Sequence, residues 1–174
     1  LNRSSDLEMF NYSCIPGDDG VLKGCRTPSN SVGMDIDFVA PADLTPEQQQ
    51  AWLKERVAAV PELVMAKKDE LGLLMLERSA TKGYHLVFRR HSDLTQEENL
   101  RWASDLLGVK FDTGAKDITR VFYTTTASEE DLIYLNDELF VNEAMANDHN
   151  LGQEQTPQAS DRQMPLSLDR KSVV

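Results

Sequence analysis

Two reciprocal helix-start signatures frame this chain. Thr45 with Gln48, and Thr95 with Glu98, each set a hydroxyl three residues ahead of a long polar side chain, the pairing that satisfies the orphan amides of a helix N-terminus. The first predicts a helix opening at Pro46, with Leu53, Val57 and Val60 as its apolar stripe and Pro61 as its end. The second predicts a helix that buries Leu100, Ala103 and Leu107 before Gly108 stops it. Between and around them the apolar period changes to two. Val32, Met34, Ile36 and Phe38 alternate with Gly33, Asp35 and Asp37, and Tyr84, Leu86 and Phe88 alternate with His85, Val87 and Arg89. Residues 71–77 form a continuous apolar run of strand length, joined to the second alternating strand by the turn 79–83. Short strands are expected over 109–112 and 119–124, linked by a turn containing Gly114, and one more over 131–135. The order strand, helix, hairpin, helix, hairpin predicts an α+β fold with a largely antiparallel sheet flanked by helices.

The chain has 174 residues, of which 40% are hydrophobic, enough for one domain. That domain is expected over residues 1–146, with its core at 32–140, followed by a Gln-, Ser-, Asp- and Pro-rich tail or linker over 147–174. Residues 1–31 read as loop with one short element. No apolar run reaches the roughly 20 residues of a membrane span. The two cysteines, Cys14 and Cys25, are too few for a disulfide framework or a four-ligand zinc site, which points to a reducing cytoplasm. Because the first residue is Leu1 rather than Met, a removed targeting segment stays open. A net charge of −11 opposes general electrostatic binding to nucleic acid. Any phosphate site is therefore local, and Lys82, His85, Arg89, Arg90 and His91 cluster, with Lys110, Lys116 and Arg120 downstream.

Three constellations carry chemistry. Asp35 and Asp37, one residue apart on a strand, point the same way with Cα atoms about 6.6 Å apart, close enough to share hard divalent cations. Alone, such a pair reads first as the solvated face of an amphipathic strand. The turn carrying Ser79, Lys82 and Gly83 feeds a strand bearing His85, an arrangement suited to polyphosphate: glycine for close backbone approach, lysine for charge, histidine as donor. Its plainer reading is an ordinary hairpin turn. Third, Asp112 follows Phe111 where a strand would end, and Arg120 lies downstream to fork onto phosphate. Asp117 is the substitute for Asp112, and Asp117 with Arg120 reads equally as an exposed i, i+3 pair. Trp52, Trp102, Met65 and Met75 are expected to pack, and His149 has no role.

Asp-x-Asp, then Ser-x-x-Lys-Gly-x-His, then apolar-Asp with a downstream Arg, in this order over residues 32–136, resembles the archaeo-eukaryotic primase and primase-polymerase superfamily. More narrowly it is similar to the primase-like N-terminal domain of virulence-associated protein E type proteins from bacterial mobile elements. The resemblance implies a primase-like core with an RRM-like sheet. It implies Mg²⁺ or Mn²⁺ on Asp35, Asp37 and Asp112, and an incoming nucleotide held by Ser79, Lys82, Gly83, His85 and Arg120. The implied activity is template-directed nucleotidyl transfer with nucleoside triphosphates on single-stranded DNA, for replication of a mobile element, with a helicase as partner. The alternatives are a catalytically degenerate module that binds single-stranded nucleic acid for replication initiation, and a metal-dependent nuclease.

Overall fold

Both capping signatures form. Thr45 and Thr95 each accept from the amide three residues on, while the Gln48 and Glu98 side chains accept from the threonine amides. In the computed structural model, which describes residues 9–79, 83–123 and 129–140, they open helices α1 (Pro46–Ala66) and α3 (Gln96–Leu107), with the short α2 (Lys68–Leu71) between them. The strands are β1 (Met9–Phe10), β2 (Ser31–Ile36), β3 (Leu73–Arg78), β4 (Tyr84–Arg89), β5 (Phe122–Tyr123) and β6 (Leu132–Leu135). Gly108 closes α3 at φ 63°, as expected for a left-handed C-terminal cap. Residues 147–174, His149, Lys82 and Thr124 fall outside the described residues.

Three expectations are corrected. Pro61 does not end α1; the helix runs through it to Ala66. Val60 and Val64, one turn apart on either side of the proline, are both buried against the sheet, and that packing outweighs the missing amide bond. Replacing Pro61 with Ala is expected to raise unfolding free energy by about 1–3 kcal/mol in urea titration, because the core contacts stay and the helix bond returns. Second, Leu71 belongs to α2, and β3 starts only after Gly72 turns left-handed at φ 60°. Third, among the described residues the second hairpin does not form: Phe111 makes a single bridge to Ile36, and Phe122–Tyr123 pairs with Met9–Phe10 instead.

The larger sheet has the order β2-β4-β3-β6, antiparallel throughout. Since β2 and β3 both oppose β4, they run parallel to each other with β4 inserted and α1 as the crossover, a split β-α-β unit. This is the antiparallel α+β arrangement expected from the element order. One sheet face carries Met34, Ile36, Leu86 and Phe88 beneath Val60, Val64, Leu100 and Leu107 of the helices. The opposite face carries Leu74, Met75 and Val87 beneath Tyr12, Phe122 and Leu139. The sheet is thus covered twice, and Tyr12, from the segment expected to be loop with one short element, is part of the second cover. Arg90 fastens it there, donating to the carbonyls of Ser29, Ser13 and Ser31 and to Gln96 Oε1. Among the described residues no helix is long and apolar enough to cross a membrane.

Candidate functional site

Strand register assembles the centre of the site. Asp35 on β2 stands opposite His85 on β4, which stands opposite Glu77 on β3. All three project from the face away from the helices. His85 Nδ1 lies 2.7 Å from Glu77 Oε1, and Nε2 lies 3.2 Å from Asp35 Oδ1, with the imidazole and Glu77 buried. Phe122 covers the row, its ring meeting the imidazole edge-on at 5.5 Å. The ring fits because Gly33 has no side chain: a Cβ there would come within 2.6 Å of Phe122. Glu77 was not singled out in the sequence, where it reads as the last residue of an apolar run. Its signal was symmetry, since Glu77 and His85 are equidistant from the centre of the 79–83 turn. Glu77→Ala is expected to cost about 1–3 kcal/mol in urea unfolding, the penalty of an imidazole nitrogen left buried without a partner, and Glu77→Gln should recover part of it.

Arg120 extends this row on the far side of Asp35. Its guanidinium is 3.7 Å from Asp35 Oδ2 and 3.4 Å from Asp112 Oδ2. The Ile36–Phe111 bridge brings Asp112 beside β2, where Asp112 Oδ1 also accepts from the Gly114 amide. Asn11 donates to the carbonyls of Ile118 and Arg120, both at 2.8 Å, and so ties the loop that carries the arginine. Asp37 lies just past β2, exposed, with its Oδ1 against Gly83. Burial raises the Asp35 carboxyl above the ordinary aspartate range; Asp37 and Asp112 push it further up, while His85 and Arg120 oppose them. Asp35 therefore lies in the field of both other aspartates. Asp117 is turned into its own loop, where hydrogen bonds from the Thr119 amide and hydroxyl hold its carboxyl below the usual range.

The hairpin end closes on itself: the Ser79 amide donates to the Gly83 carbonyl, and the Gly83 amide donates to Ser79 Oγ, each at 2.9 Å. Of the residues expected to grip a triphosphate, Arg120 sits among the aspartates, His85 has both nitrogens engaged, and Ser79 caps its turn. Among the described residues no three acidic, histidine or cysteine side chains stand close enough to cage a metal. Arg120 holds the cationic position between Asp35 and Asp112. The donors nevertheless suit Mg²⁺ or Mn²⁺ in kind, being carboxylate oxygens, and the half-exposed Arg120 pairs with two of them, Asp35 and Asp112.

Other expectations are placed as follows. Trp52 packs edge-on against Phe38, and Trp102 against Phe88 and His91. Met75 is buried, whereas Met65 is exposed, a correction to its expected packing role. Cys14 and Cys25 are free thiols, and burial, with a hydrogen bond to Cys25, pushes Cys14 up to about 12. No protein-family model, curated protein or solved structure matches this chain.

Proposed function

We propose that the chain is a metal-dependent nucleotidyltransferase of the primase-polymerase kind, working on nucleoside triphosphates over a single-stranded DNA template. The observation that carries this reading is the meeting of Asp35, Asp37 and Asp112 with Arg120 and the His85 row at one end of β2. Asp35, Asp37 and Asp112 would hold the divalent ions. Bound there, Mg²⁺ or Mn²⁺ supplies activation of the attacking 3′-hydroxyl and neutralises charge on the leaving pyrophosphate. The chain's own groups do the positioning. Glu77 orients His85, His85 holds one oxygen of Asp35, and Gly83 lets the hairpin approach Asp37. Arg120 and Ser79, together with Lys82, would grip the triphosphate.

The setting that suits this chemistry is cytoplasmic replication of a mobile element, with a helicase supplying unwound template. A second reading, a non-catalytic module that binds single-stranded nucleic acid, is favoured by one contact: Arg120 already neutralises Asp35 and Asp112. Incubation with primed and unprimed template, nucleotides and Mn²⁺ separates the readings. Product growth supports the transferase. Strand binding without growth supports the module, and cutting of DNA with no nucleotide present supports a nuclease.

A further inference from the structure

A cavity of about 590 Å³ opens beside the acidic residues, in the size range of small-ligand sites. It lies between the end of β2, the first turns of α1 and the connection that follows α3. Phe38, Trp52 and Phe111 provide apolar walls, and Asp37 and Asp112 form the border shared with the candidate site. Arg56 and Lys110 also line it. Arg56 lays its guanidinium 5.4 Å over the Trp52 ring. Among the described residues neither cation has a carboxylate within salt-bridge range, although the chain carries a net charge of −11. With Asp37 and Asp112 at the other border, these two cations, without a salt-bridge partner among the described residues, form an anion-binding end to a cavity whose aromatic walls fit a flat, stacking body.

We infer that this cavity is a nucleotide subsite: a nucleobase sits among Trp52, Phe38 and Phe111 while its flanking phosphate is held by Arg56 and Lys110. The inference rests on the nucleotide chemistry proposed for the neighbouring aspartates, and extends it to residues with no part in metal binding. Seating a base there places its sugar beside the border formed by Asp37 and Asp112, so the cavity orders substrate relative to the reacting end. The same chemistry is offered by a free nucleoside triphosphate and by one unit of a single strand.

The chain has two tryptophans, so a Trp102→Phe background leaves Trp52 as the only indole. Titration with dTTP and, separately, with a four-residue oligothymidylate, both without metal, should quench Trp52 fluorescence in at least one arm. The stronger arm identifies the source. Adding Arg56→Gln and Lys110→Gln should weaken that binding roughly tenfold and lower the salt slope by about 1–2, as expected for lost phosphate contacts. Anisotropy of a fluorescein-labelled oligothymidylate, with the same two substitutions in the unmodified tryptophan background, repeats the measurement should Trp102→Phe unfold. Absence of quenching and anisotropy change in both arms, or binding indifferent to the double substitution, overturns the inference. Asp35→Asn leaves Arg56, Lys110 and Trp52 in place; if the parent makes no product yet still quenches, the transferase reading fails and the subsite stands.

Discussion

The Asp35→Asn variant is expected to lose template-directed synthesis by about a hundredfold or more and yet to melt at a higher temperature than the parent. On the proposed transferase reading, the loss follows from removing one anionic ligand for the divalent ion and the charge that faces Arg120. The gain follows from the raised carboxyl. Burial, aided by Asp37 and Asp112, makes the folded chain hold the Asp35 proton to higher pH than the unfolded chain does. Between the unfolded value near 3.8 and the raised folded value, the native state binds more protons, so stability falls as pH rises through that window. Above it the ionised carboxylate is a constant penalty, which Asn does not carry. Asn also keeps an acceptor oxygen for His85 Nε2. Melting curves of parent and variant from pH 4 to 7 should therefore diverge as pH rises and then run parallel. Coincident curves across that range, or a variant that melts lower at pH 7, would remove the claim that Asp35 is a strained charge.

Gly83→Ala is the second large effect. A Cβ at this position would stand 2.0 Å from the Ile36 carbonyl and 2.5 Å from Asp37 Oδ1. Backbone is a poor neighbour to push, so the hairpin end must lift from β2. That movement strains the Ile36–Tyr84 pairing and shifts Asp37, the residue the glycine touches. We expect a loss of about 2–3 kcal/mol and a fall in Tm of roughly 4–12 °C, with synthesis reduced even at temperatures where the variant is folded. Ser79→Ala is the control, since it removes one hydrogen bond to the Gly83 amide without any steric overlap. An equal fall in Tm for the two variants in circular-dichroism melts would show that the close approach of Gly83 to β2 carries no steric cost.

Local signals carried the helix starts, the alternating strands and the face that Asp35 and His85 each occupy on its own strand. A capping box needs only residues three apart, and a two-residue alternation states which side chains share a face. Pro61 misled because a proline's local penalty says nothing of Val60 and Val64 anchoring both sides of it. The partners of Phe111 and Phe122 were illegible for another reason: Ile36 and Phe10 are remote in sequence, and a two-residue pairing carries no periodicity. Glu77 was hidden by its neighbours, five apolar residues that made it look like the end of a strand rather than one arm of a cross-strand row. Arg120 was singled out for phosphate, but its contacts to Asp35 and Asp112 depend on a loop closed by Asn11, more than 100 residues earlier. The cavity at Trp52 was likewise invisible, because its walls come from three separate stretches of chain.

The guanidinium of Arg90 also decides where this protein tolerates trimming. It donates to Ser13, Ser29 and Ser31, while Asn11 clasps the backbone of Ile118 and Arg120. An expression fragment cut back to the first alternating strand would keep every acidic residue of the centre. It would also strip Arg90 of its Ser13 and Ser29 acceptors and release the arginine that faces those acids, so an inactive fragment of that length would say nothing about the chemistry of the whole.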